Sequence, residues 1–356
     1  ICKYAPKSNI KARDACDGGK YVFFTSSADE SKRYNAYQHE GEGIIMGTGG
    51  NATLHYYDGK YAVSTDCIVL LPNEQIRCKY LYYFFLGNMR VLERGFKGAG
   101  LKHTNKGYIG DIDIGDIPSF ERQEKIIGIF DTLQSIIDLR KSEIERLDNL
   151  IKARFVEMFG SPVSNPMSWE KRTLKEVCIK LNDGSHFSPE SFETGDYKYV
   201  TAKNIKFSGF DFSNITYVPE AVHRPIFDRC NPEFEDVLYI KDGATTGVAI
   251  VNTLDEEFTL LSSVALLKQD RSIMNGYFLA TLLNNKDMYL NIRNNMGGAA
   301  ITRLTIAKLN AIEIIVPPIE LQNQFAAFVA EVDKSKLMFQ KLHQKLNILQ
   351  QKAGDI

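Results

Sequence analysis

Ile117-Pro118-Ser119-Phe120-Glu121-Arg122-Gln123 and Val316-Pro317-Pro318-Ile319-Glu320-Leu321-Gln322 share one pattern, and each opens a long helical stretch. After the first, no Pro interrupts from Phe120 to about Phe159, and Gly128 is the only Gly. Apolar residues return at Ile126, Phe130, Leu133, Ile137, Ile144, Leu147 and Ile151, in steps of four and three broken only at Arg140. That spacing belongs to a helix that seams against another helix. After the second, Phe325, Phe328, Val332, Phe339, Leu342, Leu346 and Leu349 continue in the same way. Two such helices, each following a globular stretch, predict a spacer built as a paired coiled coil. About 40 residues at 1.5 Å each make a rod of roughly 60 Å.

The duplication extends beyond the helices. Tyr61–Thr65, Ile68–Leu71 and Tyr80–Leu86 align without a gap on Phe258–Ser262, Ala265–Leu267 and Tyr277–Leu283. Each set reads as strand, turn and short apolar helix. Upstream, Ile44–Gly50 matches Val237–Gly243, a strand entering a Gly-bearing loop, and each is followed by a strand at Leu54–Tyr57 or Val248–Val251. Tyr21–Thr25 resembles Tyr197–Thr201, and Gly98–Leu101 resembles Gly298–Ile301. Both copies then alternate like strands, at Ile112/Ile114 and Ile312/Ile314. The fold class is α+β: a mixed β-rich domain over 1–118, a helix over 119–160, a second β-rich domain over 161–317 and a helix over 318–356. Pro162–Pro166 is a Pro/Ser/Asn linker that stops the first helix.

With 356 residues the chain can bury two cores. Its formal net charge of -1 gives no global basic field, which weighs mildly against nucleic acid. The six Cys form no CxxC pair and no zinc spacing with His, so they read as reduced, mostly buried thiols of a cytoplasmic protein, and no metal site is expected. No apolar run approaches the ~20 residues of a membrane span.

Gly47-Thr48-Gly49-Gly50-Asn51 lacks the Lys-Ser/Thr of a P-loop and leads into a strand, so a plain turn suits it better than a nucleotide pocket. Contact with a nucleic-acid backbone stays open, because Asp242-Gly243-Ala244-Thr245-Thr246-Gly247 holds the same place in the second copy. A stronger signal lies in two corresponding acid-free stretches. Arg94–Gly110 carries Lys97, Lys102, His103 and Lys106, and Met288–Ile312 carries Arg293, Arg303 and Lys308. A polyanion partner accounts for both; the plain alternative is two solvated loops. Candidate DNA contacts are Thr25, Ser26, Thr48, Asn51, Lys97, Lys102, His103 and Lys106 in the first copy. In the second they are Lys203, Asn204, Lys241, Thr245, Thr246, Thr302 and Arg303. Of the histidines, His103 and His186 merit testing, and the others suit surface or core roles. Tyr108 and Phe187 are the aromatics singled out for base stacking. No catalytic constellation emerges from spacing.

The doubled order resembles the specificity subunit of type I restriction-modification enzymes. It does so with Trp169-Glu170, Asp183-Gly184, Tyr197–Asn204, the strand and loop Asp236–Gly247, and Pro317–Gln322. The sequence departs from the pattern in three places. The first copy has no Trp-bearing start, its helix begins Ile-Pro-Ser, and Ser335, Lys336 and His343 stand near the second seam. The resemblance implies two target recognition domains, each reading half of a split, asymmetric sequence in double-stranded DNA. It also implies an antiparallel helical pair that fixes the gap between the halves. Such a chain is not an enzyme. It docks two methyltransferase (M) subunits, which hold S-adenosylmethionine, and a restriction/translocase (R) subunit, and binds no cofactor itself. The alternatives are a DNA methyltransferase or nuclease with unrecognised motifs, and a coiled-coil scaffold that binds only protein.

Overall fold

The computed structural model describes residues 1–294 and 303–353, with 338–353 as backbone only. The chain divides into two compact units, one of residues 1–143 with 338–356 and one of residues 144–337. Both divisions fall inside the long helices rather than at their ends.

In the first unit, β1 (Cys2–Tyr4), β2 (Tyr21–Phe24), β3 (Arg33–Tyr34), β4 (His39–Gly47), β5 (Leu54–Val63) and β6 (Cys67–Pro72) make one sheet in the order β1-β6-β4-β5-β2-β3. The helices α1 (Cys78–Gly87), α2 (Met89–Arg94) and α3 (Lys106–Gly110) follow, and then α4 (Phe120–Phe159). Central strands here are apolar runs rather than alternating ones because both sheet faces are covered. Ile44, Met46, Ile68 and Leu70 point to a core shared with Leu81 and Phe85 of α1. Ile45, Cys67 and Val69 point the other way, to Phe24, Tyr61 and Val63. This is the two-residue period of a strand applied twice.

The second unit repeats the plan with β7 (Lys171–Thr173), α5 (Leu174–Val177), β8 (Cys178–Asp183), β9 (Tyr197–Val200), β10 (Ile205–Lys206), β11 (Gly209–Phe210), β12 (Thr216–Val218) and α6 (Glu220–Arg229). It continues with β13 (Val237–Ile240), β14 (Ala249–Val251), β15 (Thr259–Leu260), β16 (Val264–Gln269), α7 (Gly276–Asn284), α8 (Lys286–Asn294), α9 (Ile306–Asn310), β17 (Glu313–Ile315) and α10 (Ile319–Ala353). The aligned residues pair in the same register. Phe23 and Phe24 lie parallel to Ala62 and Val63, as Tyr199 and Val200 do to Thr259 and Leu260. Ile44–Leu70 and Ile45–Val69 correspond to Val237–Leu267 and Leu238–Leu266. One sheet in the first unit is two in the second, ordered β14-β13-β16-β8 and β12-β9-β15. The long strand β5 is replaced there by β14, the polar link from Asn252, and β15.

The strand expected at Ile112/Ile114 does not form, whereas its counterpart β17 does. β17 owes its ladder to β7, with Ile314 opposite Arg172. Strand β1 pairs with β6 as β8 pairs with β16, and among the described residues no strand pairs with residues 112–119.

The shared heptapeptide explains how each long helix is fastened. Gln123 and Gln322, both buried, hold equivalent loops. Gln123 accepts from Arg77 N–H at 2.7 Å and donates to the Pro118 carbonyl at 2.8 Å. Gln322 accepts from Asn275 N–H at 2.9 Å and donates to the Ile273 and Pro317 carbonyls at 3.0 and 2.7 Å. Within the second unit the helices pair antiparallel. Phe155 and Phe159 near the end of α4 meet Phe325 near the start of α10, and Asp148 meets Lys336 further along, at 2.7 Å. Lys336, a polar intrusion on the seam, is thereby satisfied. Burial lowers its pKa, but Asp148 and Asp333 outweigh that and hold it above the usual value.

Candidate nucleic-acid interface

In the first unit the loop after β4 is stapled to the basic turn. Thr48 N–H donates to the Asp66 carbonyl at 2.8 Å, Thr104 N–H donates to the Thr48 carbonyl at 3.0 Å, and Gly50 N–H donates to the Lys102 carbonyl at 2.9 Å. Lys97 and His103 exchange two backbone hydrogen bonds, closing the turn into a tight loop. Gly49 is bridged to His103, and a Cβ at Gly49 would stand 3.2 Å from the imidazole. The side chains of Asn51, Lys97, Lys102, His103 and Lys106 are exposed along this edge. Lys106 lies over the Tyr4 ring at 5.0 Å, and α3 behind it is capped by Asn105, which accepts from Tyr108 N–H.

The second unit repeats the staple with different chemistry. Leu304 N–H donates to the Lys241 carbonyl at 2.8 Å, Asp242 is bridged to Arg303, and Thr305 caps α9. Beneath the loop lies an alternating chain of charges. Arg303 reaches Asp242 at 3.3 Å, Asp242 reaches Lys241 at 3.0 Å, and Lys241 reaches Asp183 at 3.2 Å. Asp183 also faces His186 at 3.0 Å and Arg229 at 3.5 Å. Lys241 and Asp183 are buried, so each charge needs the other. Arg303 and His186 project into solvent. At the positions of Lys241 and Asp242 the first unit has Thr48 and Gly49, so its loop rests on neutral groups.

The expected contacts therefore fall into two sets. Asn51, Lys97, Lys102, His103, Lys106, Lys203, Thr245 and Arg303 are exposed, and Ser26 and Thr48 are partly so. Thr25, Asn204, Lys241 and Thr246 are buried and bonded inward. Thr25 accepts from Lys32 at 2.9 Å, Asn204 accepts from Thr201 at 3.0 Å, and Thr246 donates to the Gly243 carbonyl at 2.7 Å. Ser26 and Thr48 both donate to the Asp66 carbonyl, so they too brace the loop. Thr302 lies outside the described residues. Tyr108 packs against Gly95 and donates to the Val91 carbonyl, whereas Phe187 is exposed. His223 is a core residue, stacked on Tyr197 and bonded to Thr259, and burial pulls its pKa below the usual value.

Sequence reasoning missed Asp183 as a charge hub, and with it Arg229 and Asp242. The signal was the Asp183-Gly184 pair. Gly184 sits so close to the Leu260 backbone that a Cβ would lie 1.9 Å from its carbonyl oxygen, which fixes Asp183 over the sheet edge.

Two like-built edges, each with a braced loop and exposed cations, define a duplicated recognition scaffold. Residues 1–149 and 166–349 match the family described as the type I restriction modification DNA specificity domain, and the chain belongs to that family. Both halves of the chain thus carry the DNA specificity domain of the type I restriction-modification class. A stretch of 143 residues, 40% of this chain, is 25% identical to the type I restriction enzyme EcoDI specificity subunit of Escherichia coli, and spans 32% of that protein's length. The crystal structure of a type I restriction-modification system S subunit from M. genitalium has the same fold. It shows 16% identity and a TM-score of 0.59 over 99% of this chain and 92% of that one. A chain from a structure described as the structural basis of complex assembly and conformational transition of the type I R-M system aligns at 16% identity and a TM-score of 0.49, over 99% of this chain and 96% of that one.

Proposed function

We propose that the chain reads a bipartite, asymmetric sequence in double-stranded DNA, one half through each β-rich unit. The observation that carries this is the recurrence of one staple, loop against basic stretch, at aligned residues in both units. Lys97, Lys102, His103 and Lys106 in the first unit, and Lys203 and Arg303 in the second, set register on the phosphates, while Asn51 and Thr245 reach toward base edges. The differing loops, neutral in one unit and charge-braced in the other, suit two different half-sites. The antiparallel helices set the separation at which both halves can be held, so that only correctly spaced targets gain from both contacts.

The chain acts in the cytoplasm within a complex of two methyltransferase subunits and a restriction/translocase subunit. S-adenosylmethionine is held by the methyltransferase partner. The test is binding of the chain, assembled with its methyltransferase subunit, to random and cognate duplexes across a salt series. Lys102→Ala and Arg303→Ala should each weaken binding to all sequences and reduce the salt slope by about one. Wild-type affinity that does not change with salt would overturn the reading, as would methyl transfer by the purified chain alone.

A further inference from the structure

The second unit carries an exposed aromatic in a built position that its duplicate lacks. Strands β10 and β11 form a hairpin whose two-residue turn is Phe207-Ser208, with Gly209 at φ 113 closing it. Phe207 stands in water, 64% exposed. Single exposed apolar residues are ordinary on a protein surface, but the surroundings of this one are not.

The base of the hairpin is rigid. Ile205 is fully buried in the core, and Phe210 stacks on Phe212 and meets Phe258 edge-on. Asn204, buried ahead of the hairpin, accepts from Thr201 and donates to the Asp211 carbonyl, tying both legs together. The tip is flanked by the exposed cations Lys203 and Lys206. It also borders the charge-braced loop. The Phe207 ring lies 6.1 Å from Tyr289, and Tyr289 packs directly on Gly247, where a Cβ would meet its ring at 2.5 Å. Arg293 spans Tyr289 and the loop, bonding the Tyr289 hydroxyl at 3.1 Å and the Thr246 carbonyl at 2.8 Å. A fixed aromatic among cations, beside the loop proposed to face DNA, is the arrangement of an apolar base contact flanked by phosphate contacts. In the first unit the stretch after β2 is Thr25-Ser26-Ser27-Ala28-Asp29-Glu30-Ser31, with no aromatic.

We propose that Phe207 is a specificity-determining residue of the second unit, reading one base pair of its half-site by apolar contact with the C5-methyl of a thymine. This methyl is the one apolar group that the major groove offers for such a reading. Lys203 and Lys206 would hold the flanking phosphates, and Asn204 would be the positioning residue that keeps the tip at a fixed height. The inference rests on the DNA-reading function proposed above.

The experiment separates the two. With the chain assembled with its methyltransferase subunit, each thymine of the cognate half-sites is replaced in turn by deoxyuridine, which lacks only the methyl. At one position of one half-site, wild type should lose about fourfold in affinity, the worth of one buried methyl. Phe207→Ala should bind the cognate site about tenfold more weakly and show no deoxyuridine effect at that position, while Phe207→Leu should keep it. The other half-site should respond alike in all three proteins. Random-duplex affinity within twofold across the set shows that the general DNA-binding reading stands. The inference fails if no thymine of the cognate site is sensitive, or if Phe207→Ala keeps the same sensitivity. Loss of random-duplex binding by wild type would instead strike the underlying function.

Discussion

Gln322 shows how one side chain can fix the junction of loop and helix. Its amide, buried itself, serves three backbone groups: it accepts from Asn275 N–H and donates to the Ile273 and Pro317 carbonyls. Gln322→Leu, near in size, should therefore cost about 1–3 kcal/mol for each group left unpaired, read as a lower urea midpoint for the second unit. Its counterpart Gln123 should behave alike in the first. Both glutamines were visible in the sequence as part of the shared heptapeptide, but their role was not, because hydrogen bonds to loops 46 to 49 residues away leave no local pattern. The same limit explains Lys241, Asn204 and Thr246. As residue types they suit a DNA surface, and only three-dimensional packing reveals that they face inward.

At the scale of elements, periodicity made the helices legible. Phe130, Ile137 and Ile151 fall on the buried stripe that the four-three spacing indicates. The aromatic close of α4 is fully buried in the second unit, with Phe155 stacked on Phe278 and edge-on to Phe325. Phe155→Ala should destabilise that unit by about 3–5 kcal/mol, measured by denaturant unfolding, while Val156→Ala, exposed one residue along, should cost little. The strands were legible as apolar runs, yet Ile112/Ile114 misled. Alternation indicates a strand only if another edge is present to pair with it, and partner availability is not a local property.

At the scale of the whole molecule, duplication was the clearest feature of the sequence, and the structure repeats it down to strand register. What the alignment could not give was where the two copies differ in use: the charge chain under one loop, and the aromatic hairpin beside it. If the helices set the reach between two readers, inserting four residues, about one turn, into both α4 and α10 should lengthen the gap in the methylated sequence. Both half-sites should keep their bases. Sequencing of methylated bases in cells carrying the variant would check this, and altered half-sites would contradict it.

The common backbone frame has a practical corollary. Thr48-Gly49 and Lys241-Asp242 occupy identical ladder positions, although one pair needs no counter-ion and the other requires Asp183 below it. Transplanting Lys241-Asp242 alone into the first frame would strand an ammonium over Pro6, the residue that stands at the Asp183 position when β1 is superposed on β8. Any scheme for recoding one reader from the other must therefore move the hub together with the loop.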